Sequence, residues 1–333
     1  MIQQLKHKVV KMKIVVKGIL CLSLLMGAVW AKEVKPASPA AQKSTAGDIQ
    51  IFTSDNADGK ITPATIEAAF KKEGFFISAN RDMNVPFKKK FKETSFDVYN
   101  LFTFFSKKET LELAKKYPSI GMFSPMSMSI YTKKDDKKIS ISSLRVEAMA
   151  KILKIPADDA VLVKIGAMVK EALKTAMPQG KFEALSYSVQ EPKGSLVSSY
   201  EMEMDPEEWE DEKEEFKMEF EGTLSTYGFV IAGTNDLNHD FKENKYEGYD
   251  FYHVYSICKL PVIYTVAKTH PEAGAYAPCS LYMYKKKGEN SMHLAFPSVY
   301  NWISSMGIKN KESLEVLEEA QGSMNKILSE LTE

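Results

Sequence analysis

Residues 95–131 read SFDVYNLFTFFSKKETLELAKKYPSIGMFSPMSMSIY, and residues 248–284 read GYDFYHVYSICKLPVIYTVAKTHPEAGAYAPCSLYMY. The two stretches lie over each other without a gap. Asp97, Tyr99, Ala114, Lys115, Pro118, Gly121, Pro125, Ser127 and Tyr131 recur as Asp250, Tyr252, Ala267, Lys268, Pro271, Gly274, Pro278, Ser280 and Tyr284. Other exchanges are mostly apolar or aromatic, such as Phe102 for Tyr255 and Phe123 for Tyr276. Upstream, Gly74-Phe-Phe-Ile77 matches Gly228-Phe-Val-Ile231, and Asp82, Asn84, Phe87 and Lys88 match Asp236, Asn238, Phe241 and Lys242. The chain is therefore a tandem duplication, and each copy can settle segments that are ambiguous in the other.

Leu260 to Thr269 is rich in β-branched residues and by composition suits a strand. Its partner segment opens with Ser106-Lys-Lys-Glu109, the pattern of a capping box, and continues with Leu111, Leu113 and Ala114 at helical spacing. Both segments are therefore predicted helices, with Pro261 suited to a first turn and Pro118 and Pro271 stopping the two. Strand, charged turn and strand follow in each copy: 121–131, 133–138 and 139–142, then 274–284, 285–290 and 291–296. Each copy closes with a helix, 159–176 and 311–331, the second with Leu314, Leu317, Met324, Ile327 and Leu331 on one side. A strand and a helix precede the Gly-Phe strand in both. The predicted class is α+β: two tandem copies of a small two-layer domain, each a mainly antiparallel sheet covered by helices, over residues 48–180 and 181–333.

Residues 1–31 read as an address. Lys6, Lys8, Lys11, Lys13 and Lys17 form a basic start, Ile19 to Val29 an apolar stretch, and Ala28-Val-Trp-Ala31 a small-residue cleavage site, with Met12 an alternative first residue. About twelve apolar residues cover under 20 Å as a helix, too short for a hydrocarbon core of about 30 Å. Cys21 opens the apolar stretch instead of closing it, which speaks against a lipid anchor there. Residues 32–47, without periodicity, read as a flexible tether. The expected product is exported to the periplasm, with no stable membrane span after the leader is removed.

The chain has 44 Lys+Arg against 44 Asp+Glu, and loss of the leader removes five lysines and no acid. An acidic product argues against nucleic acid as a partner. Phe87-Lys-Lys-Lys-Phe91-Lys92 is accordingly expected to be a solvated loop.

Around Tyr252 to Tyr284 the second copy resembles the family of domain of unknown function 302. The residues that carry the resemblance are Ser256-Ile-Cys258, the Pro-containing helix, His270-Pro-Glu-Ala-Gly274 and Ala277-Pro-Cys279. The first copy shares Tyr117-Pro-Ser-Ile-Gly121 and Ser124-Pro125 but has Phe105 and Met126 at the two cysteine positions. The resemblance implies a sheet covered by helices and no assigned activity. Members that occur singly could pair, so a tandem chain would be an intrachain pseudo-dimer.

Every cysteine and histidine beyond the leader falls in the second copy: Cys258, Cys279, His239, His253, His270 and His293. Cys258 precedes a predicted helix N-terminus, where the dipole favours a thiolate. The returning helix and strand bring Cys279 to the same level, about 15 Å down and about 16 Å back. Three readings stay open for the pair: a disulfide staple worth roughly 3 kcal/mol, a dithiol redox centre, or a two-thiolate site for a soft metal such as Cu(I). His253, an odd number of residues before Cys258, points to the other strand face and is a poor co-ligand.

Ser54 to Ile61 looks like half a calcium loop but lacks the leading and closing carboxylates, which favours an Asp-Gly turn. Residues 201–221 hold twelve acids and two lysines, with a helix expected from Asp205-Pro206 and an aromatic stripe of Trp209, Phe216 and Phe220. The tyrosines at 246, 249, 252, 255, 276, 282 and 284 suit either a pocket lining or cross-strand packing. No phosphate loop, paired zinc motif or nucleophile elbow is present, and no cofactor is required. The expected function is a non-enzymatic periplasmic binding or interaction protein, its partner a protein or small ligand. The alternative is a thiol-redox protein in which Cys258 attacks and Cys279 resolves.

Overall fold

The structure, a computed structural model, describes residues 47–333; the leader and all but the last residue of the tether lie outside them. In the first copy the order is β1 (Ile49–Asp55), α1 (Pro63–Lys72), β2 (Phe76–Asp82), α2 (Asn84–Phe91), β3 (Phe96–Phe105) and α3 (Lys107–Ala114). A 3-10 turn (Pro118–Phe123), β4 (Met126–Lys133), β5 (Lys138–Leu144), α4 (Val146–Leu153) and α5 (Ala160–Ala176) complete it. Lys181–Phe182, here β6, adds a short sixth strand beside β1. The second copy repeats the order as β7 (Val197–Glu203), α6 (Trp209–Thr226), β8 (Val230–Asp236), α7 (Leu237–Glu243), β9 (Tyr249–Cys258) and α8 (Leu260–Ala267). A second 3-10 turn (Pro271–Ala275), β10 (Cys279–Lys286), β11 (Ser291–Pro297), α9 (Tyr300–Met306) and α10 (Lys311–Thr332) follow.

Both sheets are wholly antiparallel and share one topology, β2-β3-β4-β5-β1-β6 in the first copy and β8-β9-β10-β11-β7 in the second. Period-two alternation decides what each face does. On β9, Phe251 stacks on Trp209 and Tyr255 meets Phe220 edge-on, so this face lies under α6. Tyr252, on the opposite face, reaches the first copy.

Several of the residues kept in both copies join them. Tyr99 Oη donates to the Pro271 carbonyl at 3.1 Å, and its counterpart Tyr252 donates to the Pro118 carbonyl. Ser127 Oγ donates to the Pro278 carbonyl at 2.8 Å, and Ser280 Oγ to the Pro125 carbonyl at 3.0 Å. Each bond has its mirror across a pseudo-twofold axis, as in an isologous dimer interface. Burial holds the Tyr99 and Tyr252 hydroxyls well above the usual phenol range, so both remain donors. The 3-10 turns pack between the copies: the Tyr252 hydroxyl accepts the Gly121 N–H at 2.9 Å, and Gly274 lies against Ser129 and Leu101. Helices pair reciprocally too, with Phe91 of α2 stacked on Tyr264 of α8 at 3.8 Å and Lys107 of α3 bonded to Asp240 of α7 at 2.5 Å.

Several sequence expectations are corrected. The strands after Pro118 and Pro271 begin at Met126 and Cys279, because residues 118–123 and 271–275 form the 3-10 turns that meet the other copy. Phe87 to Phe91 belongs to α2 and is no loop: Phe87 is buried at one face and the Asp82 carboxylate accepts the Asn84 N–H at 2.8 Å. Ser106 stands at the cap of α3, but its hydroxyl bonds the Glu109 side chain instead of the backbone, while Glu109 also holds Lys164 at 2.6 Å. The acidic helix starts at Trp209, after a turn at Asp205, and buries Phe216, Phe220 and Leu224. Helices α4 and α9 were not expected; each is a short, largely buried piece after the last long strand of its copy.

A side chain at Gly274 has no room, since its Cβ would lie 2.5 Å from Ser129 Cβ and 3.0 Å from Ser129 Cα. Gly222 of α6 has nothing within 4 Å of such an atom. In denaturant unfolding, Gly274→Ala is expected to cost about 1–3 kcal/mol by overpacking, and Gly222→Ala to gain about 0.5–1 kcal/mol from helix propensity. Equal effects would show that the 3-10 turn is not held tightly between the copies.

Candidate functional site

Strands β2 and β8 each form one edge of their sheet and approach each other across the pseudo-twofold axis. Side chains bridge them where no backbone ladder does. Arg81 Nη2 donates to the Ala232 carbonyl at 2.8 Å, and Ser78 Oγ donates to Asn235 Oδ1 at 3.2 Å. Bridges of this kind also keep an exposed edge from recruiting a foreign strand. Beside them lies a cavity of about 520 Å³ with walls from both copies. Arg81, Leu101 and Thr103 come from the first copy, Gly233, Asn235, Ser256 and Cys258 from the second. Its volume is in the range of small-molecule sites.

Two polar atoms of this wall are buried without a partner: Thr103 Oγ1 and Asn235 Nδ2. Thr103 is 1% exposed. A buried polar group left unpaired costs about 1–3 kcal/mol, so a ligand group that reached these atoms through a small shift of the wall would recover that cost. The neighbouring aspartates each accept one backbone N–H, Asp82 from Asn84 at 2.8 Å and Asp236 from His239 at 3.1 Å.

The two cysteines sit at one level, on adjacent strands, and both thiols are free. Cys279 lies opposite Ile257, so Cys258 is one residue out of register with it. Cys258 borders the inter-copy cavity as well as a small apolar pocket of about 60 Å³ under the helices, which it shares with Cys279. The Cys279 thiol donates to the Tyr276 carbonyl at 3.3 Å. Burial among apolar side chains pushes both thiols up to about 12, with the neighbouring Cys279 adding to the effect on Cys258. The dipole of α8, expected to favour a Cys258 thiolate, is outweighed by desolvation, and a protonated thiol is a poor nucleophile.

The histidines are scattered. His253, on the face away from Cys258, is 4.0 Å from Asp236, and burial lowers its pKa against that carboxylate's pull. His293 lies between Glu201 and Glu289, and His270 bonds Thr269. His239, Asp240 and Glu243 gather on α7, but Asp240 is already paired with Lys107. Residues 54–61 form a turn closed by the Asn56 side chain on the Ile61 backbone at 2.7 and 2.9 Å. The second-copy tyrosines pack on one another: Tyr249, Tyr252, Tyr282 and Tyr284 form one cluster, and none of them lines the large cavity.

Sequence reasoning singled out Cys258 in this wall but not Arg81, Thr103 or Asn235. One signal was present: Arg81 is one of only two arginines in a chain with 44 Lys+Arg.

A family model described as "Domain of unknown function DUF302" matches the chain twice, over residues 52–176 and 209–331. Among solved structures, the "Crystal structure of uncharacterized conserved protein DUF302 from Bacillus stearothermophilus" is similar at 14% identity. That match covers 42% of this chain and 97% of that one, with a TM-score of 0.32. No curated protein is a significant match.

The thiol environment makes a prediction about reactivity. At pH 8 the native thiolate fraction should be about a thousandfold below that of the urea-unfolded chain, and iodoacetamide labelling should be slower at least in proportion. Above about pH 9 the unfolded chain loses thiol protons that the folded chain keeps to about 12, so stability should fall as pH rises through that window. Unfolding curves at pH 9 and 10 for wild type and Cys258→Ala/Cys279→Ala check this. An unchanged slope in the variant would assign the pH dependence to other groups.

Proposed function

Because the chain belongs to the DUF302 family and carries the domain twice, we propose that it is an exported, non-enzymatic binding protein whose two copies enclose one small-molecule site. The observation that carries this reading is the cavity of about 520 Å³ whose wall buries the unpartnered Thr103 Oγ1 and Asn235 Nδ2. A ligand there would satisfy polar groups that the fold leaves unmatched. The edge strands supply the walls and the pseudo-dimer interface holds them at a fixed distance. The cysteine pair is then structural, two protonated thiols packed among apolar neighbours. Export follows from the basic and apolar pattern of residues 1–31.

Gly233 borders the cavity, with nothing within 4 Å of an added Cβ, so Gly233→Trp should fill the space without unfolding the protein. Native mass spectrometry before and after methanol extraction is expected to release a bound compound from wild type and none from the variant, with similar thermal melts. The same compound in the same amount from both, or none from either, would sink the reading. The periplasmic product is expected to begin at Lys32; an intact mass that retains residues 1–31 would overturn export by cleavage.

A further inference from the structure

Resting on the cavity assigned above, we infer that its ligand is a small organic carboxylate, with the charged end at Arg81 and an apolar body against the second copy. The wall offers an excess of donors. Arg81 uses one guanidinium bond on the Ala232 carbonyl and forms no ion pair among the described residues. Ser78 donates to Asn235 Oδ1, which fixes that amide and leaves Nδ2 as an unpartnered donor. The Thr103 hydroxyl is the second. Asp82, the acid in the wall, accepts the Asn84 N–H through Oδ1 and keeps its charge, so it disfavours an anion at its own end of the cavity. At the Arg81 end, a guanidinium fork with the Thr103 and Asn235 donors in the same wall matches a two-oxygen anion better than a hydroxyl or an amine, while Asp82 sets the limit of that end.

The second copy makes room for the body. At matched positions Phe76 gives way to Val230, Ala79 to Gly233, Thr103 to Ser256 and Phe105 to Cys258. Every exchange is toward the smaller side chain, and all four second-copy residues line the cavity. Arg81 itself is replaced by Asn235, so the pseudo-symmetric wall carries a cation on one side only. A ligand with one charged end and one apolar end fits that polarity; a symmetric dicarboxylate does not.

The test titrates the full chain, labelled with nitrogen-15, with octanoate, 1-octanol and octylamine, and repeats the series on Arg81→Gln and Arg81→Lys. Octanoate is expected to bind about tenfold or more tighter than octanol and octylamine, moving the amides of Thr103, Gly233 and Ser256. Arg81→Gln should erase the preference and Arg81→Lys restore part of it, at similar melting temperatures. Octanol or octylamine binding as tightly as octanoate at those amides would overturn the carboxylate assignment while leaving the binding site in place. An unchanged preference in a folded Arg81→Gln would do the same. No response of the cavity amides to any of the three would overturn both readings. Were Arg81→Gln not to fold, the wild-type ranking of the three probes decides alone.

Discussion

The constraint on which the rest of this molecule depends is the reciprocal set of hydrogen bonds from Tyr99 and Tyr252, Ser127 and Ser280, to the carbonyls of Pro271, Pro118, Pro278 and Pro125. Each net bond contributes about 1 kcal/mol, so four of them do not explain stability by themselves. Their weight lies in geometry. A buried carbonyl whose donor is lost keeps its desolvation cost, so both 3-10 turns must stay seated on the opposite copy together. Gly121 and Gly274 serve the same end by letting backbone approach where a Cβ would collide. The pair is thereby locked in one orientation, and that orientation leaves β2 and β8 facing each other beside a cavity.

A symmetric frame tolerates change where it is not symmetric in use. The tyrosine, serine and proline bonds across the axis retain identity, whereas the edge strands and the ends of β3 and β9 differ between copies in a consistent direction, toward smaller residues in the second. Ser129 and Ser142, which bond the carbonyls of Pro271 and Glu272 at 2.9 and 3.0 Å, tie the first sheet to the second copy's turn. The aligned position to Ser129 in the second copy is Tyr282, part of an aromatic cluster instead. Packing in one half and polar bonding in the other reach the same fit by different chemistry.

The sequence disclosed the repeat, the helix–strand order and both closing helices, because amphipathic periodicity and matched prolines are local signals. It did not disclose that the matched residues form an interface, since Tyr99 and Pro271 are far apart in the chain and only the pairing of copies brings them together. The extended reading of residues 121–125 and 274–278 fails for the same reason: those residues are shaped by the partner copy, not by alternation. Phe87 to Phe91 misleads because three consecutive lysines suggest solvent, while Phe87 and Phe91, four apart, mark a helix face against Tyr264. Of the site, Cys258 stands out for its element; Thr103 and Asn235 are ordinary strand residues until their missing partners are seen.

The cysteines stand where the sequence places them, on adjacent strands at one level, and their surroundings bear on their chemistry. Level strands and a nearby helix N-terminus are the features that activate thiols elsewhere, and both are present here. The helix end contributes a fraction of a charge, worth about 0.3–1 kcal/mol, against the cost of ionising a half-buried sulfur among apolar neighbours. Desolvation prevails, and it holds both thiols up to about 12. Cys258 then matters by its size. Standing where the first copy has Phe105, it opens the wall of the inter-copy cavity by leaving space there.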